Sequence, residues 1–378
     1  MEEVLDTYDA MLLLNGIETV GTKKFLHIRE VFHGDIGKIF HESPETLRDF
    51  YKFSPKSIER ITSPEIFFDL AEEKRRMEDF EVRFLYHGSE FYPESLRDFS
   101  DAPIGIYVRG EIPPMGKCIS IVGSRQCTFY GEKIAQELAY ELASLGYCIV
   151  SGLAIGIDMA AHCGALRANG KTLAVLPGGI DRIYPKENQS LYEKIYQNGT
   201  LLSESRFGRN LEKWSFRQRN RIISGLSVAT IVVETPLCGG SMISAESAKK
   251  QGRLLMAIPG PINSQLSKGC HRLIQEGAIL IGGVEDVIAA IQSPHYQKQV
   301  DLIPVEGNIL RGRNCQKIPV ELDATESKIW EILCAGSQSI DELANHIGCD
   351  TLHCAQMVQM MTVCGYLERD TAGMVSLR

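Results

Sequence analysis

The run CISIVGSRQCTFYGEKIAQELAYELASLGYCIVSG, Cys118–Gly152, decides the fold. It opens on a short β-branched apolar stretch, CISIVG (118–123), and continues through a helix-period segment, GEKIAQELAYELASLG (131–146). It closes on a second apolar stretch, YCIVSG (147–152), again bounded by glycine. Strand, helix and strand at this spacing form a βαβ unit, whose crossover makes the two strands parallel. The texture recurs from about Phe84 to Gln292 in TLAVLPGG (172–179), TLLSES (200–205), ATIVVET (229–235), LLMAIPG (254–260) and AILIGG (278–283), with SAESAKKQG (244–252) as a further helix. The expected fold class is α/β, with an extended, doubly wound, mostly parallel-sheet core at 81–293.

The flanks differ. From about Met1 to Arg76 the chain reads as short helices broken by glycine and by Ser-Pro steps: LHIREVF (26–32), an entry at Ser43-Pro44-Glu45 and another at Ser54-Pro55. Serine before proline is a helix start, because proline at the first helical position gives up only an N–H that has no intrahelical partner. A small helical domain is expected at 1–80. Periodicity is lost around Pro294, Pro304 and Pro319, which marks 294–319 as a linker. At 320–378 follow three helical segments, ATESKIWEILCAG, SIDELANHIGC and TLHCAQMVQMMTVCG, and a two-strand hairpin around TAG (371–373), the spacing of a winged helix-turn-helix.

Composition narrows the function. The 378 residues suffice for two or three domains, and a formal charge of −8 argues against indiscriminate coating of nucleic acid. The apolar runs are too short to cross a bilayer, and the acidic start MEEVLDTYDA lacks the basic region of a secretory signal. Eleven scattered cysteines read as reduced, packed thiols. A cytoplasmic protein with no membrane partner is expected.

Against the acidic balance, Arg206, Arg209, Lys213, Arg217, Arg219 and Arg221 cluster with Glu212 as the one acid between 206 and 221. Alone, such a run is as readily a solvated helix face. Its context is four glycine-rich turns at the strand ends: Gly123-Ser124-Arg125, Ser151–Asp158, Pro177-Gly178-Gly179 continuing to Lys186, and Gly239-Gly240-Ser241. Ligands of open parallel sheets bind beyond the carboxyl ends of the strands, and glycine turns with helix starts offer N–H groups to anions. Together with Arg125, Lys186 and the Arg219–Arg221 segment they form a phosphate-binding rim. Within it, Ile222 and Ile223 belong to the core, and Arg206 and Arg209 read as solvated charge.

Other chemistry is not legible. Ser124-Arg125 stands where a dinucleotide fingerprint needs its second glycine, and Walker A and G-x-S-x-G are absent. Asp158 and His162 stand four apart, but without a third ligand they read as a helix cap and a local hydrogen bond. His346, Cys349, His353 and Cys354 have irregular spacing and read as packing rather than zinc ligands. No catalytic residue, metal or cofactor is expected. Phe216 and Tyr184 either stack bases or pack.

These motifs resemble the DprA (Smf) DNA-processing proteins of bacteria. The resemblance runs through Tyr92-Pro93, Asp101-Ala102-Pro103, Tyr107–Gly110, IVGSRQCTFYG, VSGLAIGIDMAAHCGAL, LPGGIDRIYPKEN, LLSES, FRQRNRIISGLS, GGSMISAESAKKQGRLLMAIPG and LSKGCHRLIQEGAILI. It implies an extended Rossmann-like domain that binds single-stranded DNA without hydrolysing nucleotide. It also implies a homodimer that protects incoming strands in natural transformation and loads the RecA recombinase onto them. The family's phosphate contacts fall on Gly123, Ser124, Arg125, Lys186, Arg219, Asn220 and Arg221, with Gly240 and Ser241 as helix-start donors. The N-terminal helices would be its SAM-like module and the C-terminal ones its winged helix, whose third helix (LHCAQMVQMM) has no Lys or Arg and suits protein contacts better than DNA. Cys238-Gly239 and Pro177-Gly178-Gly179 depart from the family's usual residues at the fourth and third turns. The competing enzyme reading is a Rossmann-like nucleotide phosphoribohydrolase. Its contiguous Gly-Gly, Thr and Glu motif is split here between Pro177–Gly179 and Gly239–Glu246.

Overall fold

The computed structural model describes residues 5–97 and 99–293 of one compact unit, Met1–Val305. In a second unit, Glu306–Arg378, it describes 325, 328–329, 332–333, 338–363, 367–369 and 374–377. The expected linker at 294–319 lies outside the described residues.

In the first unit, helices α1 (Thr7–Gly16), α2 (Thr22–Val31), α3 (Pro44–Asp49), α4 (Pro55–Thr62) and α5 (Leu70–Asp79) precede the sheet. Ser43 and Ser54 cap α3 and α4 as their sequences require, accepting from the N–H of Thr46 and Ser57 with proline in the first turn. Then come β1 (Arg83–Tyr86), α6 (Glu94–Arg97), β2 (Gly105–Arg109), β3 (Cys118–Gly123), α7 (Phe129–Ser144), β4 (Cys148–Ser151), α8 (Ile157–Arg167) and β5 (Thr172–Leu176). They continue with α9 (Gln189–Asn198), β6 (Thr200–Ser203), α10 (Lys213–Gly225), β7 (Ala229–Val233), α11 (Gly240–Lys250), β8 (Leu254–Ala257), α12 (Lys268–Gln275), β9 (Ile279–Leu280) and α13 (Val284–Gln292).

The nine strands form one sheet in the order β1-β2-β6-β5-β4-β3-β7-β8-β9. From β6 to β9 every pair is parallel, and β2 and β1 add antiparallel strands at one edge. Strands β4, β5 and β7 are buried along their whole length, which is why they read as continuous apolar runs rather than alternating ones. α7 buries Ala135, Leu138, Ala139, Leu142 and Ala143, a helical stripe at i, i+3, i+4, i+7 and i+8. The chain winds outward from β3 through β4 and β5 to β6, and α10 carries it back to β7 on the other side of β3. The reversal between β3 and β7 is the topological switch point, where such sheets open a crevice.

The N-terminal helices are not a separate body. Met11, Leu14, Phe25 and Phe68 belong to the same buried cluster as Phe84, Tyr107, Leu176 and Phe207 of the α/β region. Polar contacts reinforce the joint. Arg76 pairs with Asp181 at 2.8 Å, and the Glu73 carboxylate accepts from the Phe207 N–H at 3.0 Å. Arg209 pairs with Glu18, and Arg206 lies 3.7 Å from the same carboxylate. Arg206 and Arg209 are therefore not solvated charge. They hold the helices to the segment before α10.

In the second unit, α14 (Ile340–Ile347) starts at a reciprocal Ser339–Glu342 capping box and ends at Gly348 in the left-handed region. α15 (Thr351–Val363) and the antiparallel pair β10 (Leu367–Arg369) and β11 (Val375–Leu377) follow. Ile329, Leu333, Leu343, Cys354, Val358, Leu367 and Val375 form its core. Most of the first of the three expected helices lies outside the described residues.

Candidate functional site

A cavity of about 750 Å³ opens at the carboxyl ends of β3, β4 and β7, with α10 as one wall. Gly123 at the end of β3, and Ser124 and Arg125 directly after it, enter its lining. Gly239, Gly240 and Ser241 enter at the start of α11, whose cap residue Gly239 makes no side-chain cap bond. The positive end of the α11 dipole is thus at the cavity. The turn after β4 requires glycine at Gly156 (φ +82°), where a side chain would also meet the Ser124 carbonyl oxygen at 2.4 Å.

Arg125 is exposed, and its guanidinium lies 4.9 Å from the centre of the Phe216 ring. Phe216 meets Tyr184 edge to face, with ring centres 5.4 Å apart. A cation and two aromatic rings thus share the cavity lining. Asn220 ties the two helical walls together, its Nδ2 donating to the Gly240 carbonyl at 3.3 Å. Ser241 Oγ donates to Thr235 Oγ1 at 2.7 Å.

Arg219 is part of the floor. It is 5% exposed, donates from Nη1 to the Val175 carbonyl at 2.9 Å and sits 4.0 Å from Asp158. Burial pulls its pKa down to about 10, with Asp158 opposing the shift. Asp158 accepts from the Gly152 N–H at 3.2 Å, and burial raises its carboxyl pKa while Arg219 lowers it. It does not cap α8, which starts on Gly156. His162 hydrogen-bonds Thr172 Oγ1 at 2.7 Å rather than Asp158. Because the Thr172 hydroxyl donates to the Ile149 carbonyl, His162 must donate from Nδ1, which leaves Nε2 buried and without a partner. Burial, then repulsion from Arg219, pulls the imidazole pKa down to about 3.

The structure therefore brings Gly123, Ser124, Arg125, Arg219, Asn220, Gly240 and Ser241 to one cavity. It places two expected residues outside the lining. Lys186 is exposed in a short turn, Lys186–Asn188, beyond Tyr184. Arg221 points away from the cavity on the adjacent face of α10, where both oxygens of Glu204 accept from its Nη2 at 2.6 and 2.7 Å. Conversely, Lys213 and Arg217 line the cavity, are exposed, and make no ion pair or hydrogen bond among the described residues. The missed signal was helical spacing: Lys213, Phe216 and Asn220 stand at i, i+3 and i+7 and share a face. Among the described lining residues Asp158 is the one acid, so Arg125, Lys213 and Arg217 leave the mouth cationic.

No cluster of metal-ligating residues occurs among the described residues, and His346 Nδ1 is bonded to the Glu342 carbonyl. The side chain of His353 lies outside the described residues. No described helix is long and apolar enough to cross a membrane.

Residues 83–292 match the family model described as DNA recombination-mediator protein A. The chain belongs to that family. It is 43% identical over 206 residues to DNA processing protein DprA of Streptococcus pneumoniae, covering 53% of this chain and 71% of that protein. It is 34% identical over 277 residues to Protein Smf of Borreliella burgdorferi, covering 72% of this chain and 85% of that one. The crystal structure of the S. pneumoniae protein superposes with a TM-score of 0.66 at 32% identity, over 76% of this chain and 98% of that chain. A DNA processing protein A structure from Helicobacter pylori, described for its single-stranded DNA binding mode, superposes with a TM-score of 0.51 at 32% identity, over 56% and 96%. The matched region holds the whole parallel sheet and the cavity of this family member.

Proposed function

We propose that this chain is a non-catalytic single-stranded DNA-binding recombination mediator, and that the switch-point cavity holds the strand. The observation that carries the reading is Arg125 over Phe216, with Tyr184 against the same ring, at the mouth of a cationic cavity. Cations following the backbone and rings on which any base can stack are what sequence-tolerant binding of a single strand needs. In this reading Gly123, Ser124, Asn220, Gly240 and Ser241 supply polar and backbone donors. Arg125 and Lys213 meet phosphates, Arg219 holds the floor, and Lys186 and Arg221 act away from the cavity. Membership of the recombination-mediator family supports the same assignment.

The remaining parts follow from the family resemblance. The protein works in the cytoplasm as a homodimer, protects incoming strands and loads RecA onto them. The N-terminal helices are its SAM-like module, and the C-terminal unit is a winged helix used for protein contacts. The nucleotide-hydrolase alternative needs a carboxylate free to act on substrate. Asp158 is engaged with Arg219 and the Gly152 N–H, and Glu234 accepts from Thr128 N and Oγ1 at 2.7 and 2.6 Å.

Oligo-dT and a duplex of equal length, titrated across a salt series, test the reading, alongside incubation with nucleoside monophosphates. Salt-sensitive preference for the single strand with no released base is expected. Released base, or equal affinity for duplex, overturns it.

A further inference from the structure

Helix α10 separates two cavities. Lys213, Phe216 and Asn220 line the one already described, while Trp214, Gln218 and Arg221, at i, i+4 and i+7 on the adjacent face, line a second groove of about 730 Å³. Arg217 lines both, is exposed, and has no ion-pair or hydrogen-bond partner among the described residues. The two spaces therefore meet across one free cation.

The second groove differs in chemistry. Its three acids face three cations: Glu18 pairs with Arg209, Glu204 with Arg221 at 2.6 Å, Asp101 lies 3.9 Å from Arg221, and Arg217 is the third cation of the lining. A charge-balanced groove does not draw in phosphate, but it suits a base. Trp214 stands in it 47% exposed, its indole Nε1 donating to Glu212 and its ring 5.5 Å from the Arg209 guanidinium. The indole is thus held in orientation yet open to solvent, so little rotamer freedom remains to be lost when a base stacks on it.

Resting on the single-strand reading above, we propose that this groove is the next subsite for the same strand. A phosphate meets Arg217 as the backbone crosses α10, and the base beyond it stacks on Trp214. The second groove thereby lengthens the site without adding to the charge at the cavity.

The chain has two tryptophans, so Trp330→Phe leaves Trp214 as the single source of tryptophan emission. That protein is titrated with dT oligomers of about 4 and about 16 nucleotides, spanning the usual range of single-strand site sizes. Quenching by the longer oligomer and not by the shorter is expected. Trp214→Ala should lose about tenfold on the longer oligomer and less than about twofold on the shorter, while Trp214→Phe keeps most of the affinity. Arg217→Ala, which also removes a cation from the first cavity, should weaken binding of both oligomers but of the longer one more. Unchanged emission with the longer oligomer bound, or equal losses at both lengths, overturns the subsite. Failure of the underlying reading looks different: neither oligomer binds wild type, or Arg125→Ala changes neither affinity. The emission measurement uses no substitution in the groove, so a misfolded variant cannot imitate its result.

Discussion

The guanidinium of Arg219 lies across the α-carbon of Gly152, so that a methyl group there would sit 1.2 Å from Nη1. The glycine after β4 is thus a passage for the side chain that joins α10 to the floor of the cavity. Gly152→Ala forces Arg219 off the Val175 carbonyl and away from Asp158, which stays buried. We expect a loss of about 1–3 kcal/mol or more in chemical denaturation. Arg219→Ala placed on top of Gly152→Ala should cost much less than it does alone, because the contact is already broken. Additive losses would show that the two residues act separately.

Cations at the cavity mouth should act through counterion release. Arg125→Ala and Lys213→Ala are each expected to weaken oligo-dT binding and to reduce the salt slope by about 0.7. Lys186→Ala, outside the lining, should change the slope by less. Equal effects of all three would extend the strand's path past Tyr184 to the Lys186 turn.

Arg221 and Glu204 form a partly buried, doubly hydrogen-bonded pair beside the strand ends. Glu204→Ala should lower stability by about 2 kcal/mol, less than the ~3–5 of a fully buried pair because Glu204 keeps some solvent contact. The oligo-dT salt slope should stay as in wild type. A reduced slope would make Arg221 a phosphate contact after all.

His162 gives the fold a built-in acid sensitivity. Its folded pKa, about 3, lies below the ordinary histidine value of 6.5, so the native state binds fewer protons than the unfolded chain between those values. Its contribution is therefore present in full above pH ~6.5 and falls by about 1.4 kcal/mol per pH unit as the pH drops toward about 3. The raised carboxyl pKa of Asp158 acts with the opposite sign, so the test is a difference. Denaturation midpoints of His162→Gln should fall less steeply than those of wild type between pH 6 and pH 4. Parallel curves would mean that the imidazole takes up its proton in the folded state.

Much of this was legible in the chain. Short continuous apolar runs and period-3.6 texture carried the βαβ units because buried parallel strands and amphipathic crossovers leave different patterns, and glycine with small hydroxyl residues marked the strand ends. What failed was direction. Arg217, Arg219 and Arg221 look alike in a row, yet a helix turns about 100° per residue. One of them points to the mouth, one into the floor and one to Glu204 on the adjacent face. Likewise Arg206 and Arg209 find Glu18 from nearly two hundred residues away, a partner that no local pattern announces.

The shared core of helices and sheet has a consequence for relatives of other lengths. Tyr8 meets Phe84 edge to face at 6.0 Å and Phe80 meets Phe207 at 5.4 Å, so the helical segment is a lid sealed by rings onto this side of the sheet. A homologue that dispensed with everything before Arg83 would inherit a wet aromatic face. It would need compensating polar replacements at Phe84, Tyr107 and Phe207, so trimming this family is an act of re-surfacing rather than of excision.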